Sequence, residues 1–247
     1  MGNEQKEIKI ISEISESKPF LVIYKPKGIA SAPLSSEDNT SALSQAINLL
    51  PELKKVSGKK SIEYGLLHRL DTETDGLIVI AATQDCYDFL VEEQKNGRFI
   101  KYYKAICDYN PENSTSLGGF PINSFNQDFD KELIITSYFR NYGPGLKQVR
   151  PVLESSGKAA LKKIGKPVLY TTKIVLHKSY ESIVADCSIK AGYRHQVRCH
   201  LAWLGYPVQG DTLYNSKDLD NSFELNFSAY KVEFLNPITK LLEIYTI

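Results

Sequence analysis

Residues 64–82 read YGLLHRLDTETDGLIVIAA. The run Leu77–Ala82 is apolar, branched and too short for a helix, which is the pattern of a buried strand. Any fold open to this chain must bury that run while holding Asp71, Glu73 and Asp75 at its mouth, with Arg69 two residues ahead of the first acid. The stretch alone leaves two readings open, a solvated turn and a chemical site.

The neighbouring segments set the fold class. Phe20–Tyr24 reads as a strand, Lys25–Pro33 as a Gly/Pro-punctuated loop, and Thr40 as the cap of a helix through Leu50, with Leu43, Ile47 and Leu50 at i, i+4, i+7. Residues 51–63 read as a lysine-rich loop. Thr83 caps a second helix that buries Cys86, Phe89 and Leu90 and stops at Asn96-Gly97. Strands dominate from there: Phe99–Tyr109, Leu133–Phe139, Val168–His177 and Tyr180–Lys190, the last two joined by a Lys178-Ser179 turn. Arg194–Leu204 returns to helical period with Gly205 as its stop, and Tyr230–Leu235 with Leu241–Tyr245 reads as a closing hairpin. Interspersed helices and runs of adjacent antiparallel strands predict one α+β domain over 19–247, behind a polar arm of residues 1–18.

Composition narrows the function classes less than the pattern does. At 247 residues the chain buries roughly 70–75% of its unfolded surface, so a full core is within reach. Thirty Lys+Arg against 29 Asp+Glu give a formal charge of +1, and clustering matters more than that sum. Four separated cysteines with no CxxC pair and no signal peptide predict a reduced, cytoplasmic protein. No apolar run approaches the ~20 residues that span a bilayer.

Metal chemistry fits the sequence poorly. Asp71-x-Glu73-x-Asp75-Gly76 starts like a calcium loop, but Ala82 stands where the bidentate carboxylate belongs and the following residues are strand-like. His195, Cys199 and His200 do not converge on one helix face as a zinc site requires. A phosphatase built on Asp71 would need magnesium-binding carboxylates that form no evident cluster. The expectation is no metal.

GLLHRLDTETDGL (Gly65–Leu77) resembles the HRLDxxTSGL signature of the RluA-type pseudouridine synthases. Three further features occur in that family's order: Lys25-Pro26-x-Gly28, Lys101-x-Tyr103-x-Ala105, and His195-Gln196-Val197-Arg198-x-His200 followed by Gly205-x-Pro207-x-x-Gly210-Asp211-x-x-Tyr214. The resemblance spans roughly residues 20–246. It implies a mixed, largely antiparallel bent sheet with flanking helices around a central RNA-binding cleft, and an isomerase that turns uridine into pseudouridine in rRNA or tRNA without a cofactor. The family often carries an S4-type RNA-binding module, which 18 leading residues cannot hold, so the expected protein is a catalytic domain alone, a monomer with no membrane partner.

By the same resemblance Asp71 is the catalytic aspartate, acting as nucleophile at C1′ or as base at the ribose. Tyr103 is the active-site tyrosine that stacks on the target base, and Arg198 is the basic residue beside the carboxylate, keeping it ionised. Lys25, Arg69, Arg194, His195 and Gln196 are expected at the RNA, while His68 reads equally as a hydrogen-bonded structural residue. The chain departs from the family pattern in carrying Asp75 where a serine is usual, and Ala191-Gly192-Tyr193 where Thr-Gly-Arg is usual, with Arg194 one position later. Residues 140–167 look like a basic insertion, with Arg140, Lys147, Arg150, Lys158, Lys162, Lys163 and Lys166 against Glu154 alone. That stretch is either a phosphate-contacting flap, with Lys158, Lys162 and Lys163 at the RNA, or a solvated loop. The competing class is an RNA-binding or chaperone protein with this fold and no activity.

Overall fold

The computed structural model describes residues 6–125, 128–179, 182–219 and 223–247. In chain order its strands are β1 (Lys9–Ser12), β2 (Phe20–Lys25), β3 (Asp75–Ala81), β4 (Ile100–Cys107), β5 (Glu132–Tyr142), β6 (Gln148–Val152), β7 (Tyr170–Lys178), β8 (Ile183–Ile189), β9 (Phe227–Leu235) and β10 (Leu242–Thr246). The helices are α1 (Ala42–Leu49), α2 (Gln84–Lys95), α3 (Asn113–Leu117), α4 (Lys158–Leu161) and α5 (Gln196–Leu204), giving an α+β fold. The chain forms two compact units, residues 1–101 with 228–247, and residues 102–227. No helix among the described residues is long and apolar enough to cross a membrane.

In the first unit β1 pairs antiparallel with β2, β2 antiparallel with β3, and β10 antiparallel with β9. β3 meets β9 in parallel at Asp75↔Ser228 and Gly76↔Ala229. Leu77–Ala81 are all buried, as the apolar run requires. Alternate residues of β2 and β3, namely Phe20, Val22, Leu77, Val79 and Ala81, pack with Cys86 and Leu90 of α2 and with Phe99, Val232 and Phe234. Thr83 caps α2 by accepting from the Cys86 amide (3.3 Å), and Gly97 leaves it at φ 69°. Ser41, not Thr40, caps α1, because the Thr40 hydroxyl and amide are both taken by Asp38 while Ser41 Oγ accepts from the Ser44 amide. The arm contributes an edge strand at Lys9–Ser12, and residues 51–55 of the expected loop form a 3-10 turn; residues 1–5 of the arm lie outside the described residues.

In the second unit the strand order is β4-β8-β7-β5-β6, with β5–β7, β7–β8 and β5–β6 antiparallel. Residues 180 and 181, the start of the predicted 180–190 strand, lie outside the described residues. α5 is buried along its whole length, with Cys199 and Ala202 against Phe139, Val149, Tyr170 and Tyr214. The expected 140–167 insertion is partly sheet: β5 runs on to Tyr142 and returns as β6. Arg150, counted above among the available charges, is 1% exposed. Its guanidinium donates to Gly118 O (2.8 Å), Val149 O (2.9 Å) and Leu117 O (3.4 Å) and lies 4.3 Å from the rings of Phe120 and Tyr142, so it is a structural cation.

Candidate active site

Asp71 sits half-buried on a turn that the preceding loop holds from two sides. The Thr74 amide donates to Asp71 O (3.0 Å) and closes the turn. Ser31 Oγ donates to Leu70 O (2.7 Å) and accepts from the Leu70 amide (2.8 Å), while the Gly28 amide donates to Thr72 O (2.8 Å). Gly28 adopts φ 87°, the left-handed region that a side chain would strain. Lys25 completes the clamp: its ammonium donates to Pro26 O (2.9 Å), Ile29 O (2.9 Å) and Thr72 O (3.1 Å), and the residue is fully buried. Burial lowers Lys25 to about 8, against the opposing pull of Asp75, Glu73 and Asp71. The three donors of Lys25, a residue expected at the RNA, are directed at carbonyls of the loop and turn.

The other charges of this unit divide by exposure. Arg69 keeps its side chain 58% exposed and touches Glu63 Oε1 at 3.2 Å, leaving its guanidinium accessible to an RNA. Asp75 accepts from Tyr24 OH (3.1 Å) and from Ser228 Oγ (3.2 Å), which explains an acid where a serine is usual: it bolts the mouth of β3 to β2 and β9. Next to it, Gly76 at φ 132° leaves no room for a Cβ, which would lie 2.3 Å from Ala229 O. His68 accepts from the Val79 amide (3.3 Å), packs edge-on against Phe99, and is lowered to about 3 by burial and by Lys101; it is a neutral structural residue.

In the second unit Tyr103 is 7% exposed and stacks on Phe227, rings 5.2 Å apart and 7° from parallel. Phe227 was not anticipated. Arg198 Nε and Nη2 each lie 2.7 Å from a different carboxylate oxygen of Asp211, and both residues are buried. Asp211 also accepts from the Leu213 (3.0 Å) and Tyr214 (3.1 Å) amides, so the Gly210–Tyr214 turn fixes the orientation of Arg198. The Tyr214 hydroxyl in turn accepts from the Val149 amide (2.9 Å) and meets His195 Nδ1 (3.0 Å).

Three more residues expected at the RNA make hydrogen bonds within the fold. Gln196 is 2% exposed and bridges Thr171 O, Thr172 Oγ1 and the Tyr193 amide. Arg194 is exposed, but its Nη2 donates to Leu146 O (2.7 Å), Asn141 Oδ1 (3.1 Å) and Gln148 O (3.3 Å), tying down the β5–β6 hairpin. His195, at φ 57°, starts α5 and holds Tyr214. His195, Cys199 and His200 reach separate partners: Tyr214, Val149 O, and the hydroxyls of Ser137 and Thr172. Among the described residues no three His, Cys, Asp or Glu side chains are grouped to hold a metal ion. Lys158, Lys162 and Lys163 are exposed on and after α4.

The α+β chain with this clamped aspartate turn belongs to the RNA pseudouridylate synthase family, whose model matches residues 19–203. The ribosomal large subunit pseudouridine synthase D of Buchnera aphidicola subsp. Schizaphis graminum is 25% identical over 244 residues, covering 93% of this chain and 67% of the relative. The protein of the same name from Borreliella burgdorferi is 27% identical over 224 residues, covering 90% of this chain. The chain spans only 60% of that second relative's length. Two solved human structures share the fold. RNA pseudouridylate synthase domain containing 1 has a TM-score of 0.65 at 18% identity, covering 100% of this chain and 85% of that one. RNA pseudouridylate synthase domain containing 4 has a TM-score of 0.60 at 19% identity, covering 96% and 87%.

Proposed function

We propose that the chain isomerises uridine to pseudouridine in RNA, with Asp71 as the catalytic carboxylate. The observation that carries this is the clamp on residues 70–72: Ser31, Gly28 and Lys25 all serve to fix the turn that presents a half-buried aspartate. A solvated turn needs no such support. The reaction breaks the N1–C1′ bond, joins C1′ to C5, and moves the C5 proton to N1, so no atom enters or leaves overall. Asp71 serves at the ribose, as nucleophile at C1′ or as base, and a fixed turn keeps it in place while the uracil rotates. Tyr103, pre-stacked on Phe227, supplies an aromatic surface for the uracil, which loses a few kcal/mol of stacking when it leaves the RNA. Arg198 supplies positive charge in an orientation set by Asp211. The exposed Arg69 and the lysines 158, 162 and 163 contact the RNA.

The substrate we assign is large-subunit ribosomal RNA, after the relatives that are named for it. Pseudouridine mapping of total RNA from cells with and without the gene tests this. One or more large-subunit sites should disappear on deletion and return on complementation. Loss confined to transfer RNA would move the substrate, and an unchanged map would favour an RNA-binding protein that keeps only the fold.

A further inference from the structure

The tip of the β5–β6 hairpin encloses an open concavity of about 510 Å3 lined by Arg140, Asn141, Tyr142, Gly143, Leu146 and Lys163. Its shape is set in advance. Leu146 holds a left-handed backbone (φ 53°), which costs a side-chain-bearing residue energy, and Arg194 secures that conformation through Leu146 O, Asn141 and Gln148 O. Arg140 is bridged to the strand-like Ile164, which brings the segment carrying Lys163 alongside β5, and its Nη2 donates to Gly119 O (3.0 Å). Among the described residues, none of Arg140, Lys147, Lys162, Lys163, Lys166 and Arg194 forms an ion pair with an acid. Of these, Arg140 and Lys163 line the preformed hollow, in a chain of almost balanced charge. Like charges so placed repel one another, a repulsion that a bound anion would relieve.

We propose that this hollow is a phosphate subsite for the RNA backbone, with Arg140 and Lys163 as the contacting cations and Arg194 as the residue that holds the hairpin in shape. A guanidinium held in place by Gly119 O and by the Tyr142 ring, beside a flexible ammonium, suits a phosphodiester, whose two free oxygens accept from both. RNA as the source of the phosphate rests on the function proposed above. The subsite positions the strand and carries no base specificity.

The test is the salt dependence of affinity for a single-stranded oligouridylate. Each single-strand phosphate contact contributes about 0.7 to the slope of log affinity against log salt, so Lys163→Gln should reduce it by about 0.7 and Arg140→Gln/Lys163→Gln by about 1.4. Lys163 is exposed, so its single variant is informative even if the arginine change disturbs the hairpin; Arg140→Lys, which keeps the charge, should retain most of the slope. Lys95→Gln/Lys131→Gln removes two lysines paired with Glu92 and Asp128 and should leave the slope unchanged. An unchanged slope in Lys163→Gln, or an equal fall in the control pair, overturns the subsite. So does a thermal shift with inorganic phosphate that Lys163→Gln abolishes while the RNA slope stays put, since that marks a free-anion site. Pseudouridine formation by the wild type is scored alongside: if it proceeds while the slope fails to respond, only the subsite falls; if the wild type neither binds oligouridylate nor modifies RNA, the subsite and the functional assignment fall together.

Discussion

Lys25 and Tyr103 show how differently two residues of one motif set serve a site. Lys25 directs its ammonium at the Pro26, Ile29 and Thr72 carbonyls inside the first unit. Lys25→Met would leave those carbonyls without their donor, at a cost on the order of 1–3 kcal/mol. Urea unfolding should show that loss, while the salt dependence of RNA binding should keep its wild-type slope; a slope reduced with stability intact would return Lys25 to the RNA. The role proposed for Tyr103 rests on its ring, which stacks on Phe227. Tyr103→Phe preserves the stack on Phe227 and should retain much more single-turnover activity than Tyr103→Leu, whereas equal loss in both would place the contribution in the hydroxyl.

At the scale of the element, α5 and the turn after it behave as one part. Asp211 is the acceptor for Arg198 and for two turn amides, so Asp211→Ala removes the buried carboxylate from a bidentate pair and should cost about 3–5 kcal/mol. Asp211→Ala/Arg198→Met should recover part of that loss in denaturant unfolding; no recovery would mean that the aspartate acts through the turn amides alone. Both Arg198 and Asp211 stand in the motif set, but their pairing does not, because Asp211 lies 13 residues on, past the end of the helix, where no periodicity reports a contact. β2, β3 and α2 were legible because their apolar pattern and the Thr83 and Gly97 end signals agree. β6 was not. Pro151 argues against a strand, and is tolerated because β6 lies at the edge of its sheet; Arg150 reads as a surface charge, and is buried because three carbonyls and flanking rings receive it. Ser31 and Phe227 were missed because a serine 39 residues from Leu70 and a phenylalanine far from Tyr103 leave no local trace.

The whole molecule should be acid-sensitive in a defined direction. His200 is fully buried between Ser137 and Thr172 hydroxyls, and burial lowers it to about 3, as burial and Lys101 do for His68. The unfolded chain, titrating near 6.5, binds more protons than the folded one between those values, so stability is present above pH 6.5 and lost as pH falls toward 3. Each histidine contributes up to about 1.4 kcal/mol per pH unit in that window. Unfolding measured across the window should show the slope, and His200→Asn should reduce it; a flat profile above pH 4 would mean that His200 is not held neutral. What the fold protects is the turn bearing Asp71, and the central claim rests there. Asp71→Asn keeps the shape of the side chain and removes its carboxylate. With folding verified by circular dichroism and thermal melting, and RNA affinity measured alongside, the decisive quantity is pseudouridine formed per turnover on large-subunit ribosomal RNA. The account predicts formation by the wild type, none by Asp71→Asn, and similar affinity for both; a well-folded Asp71→Asn protein that converts uridine at the wild-type rate would contradict it.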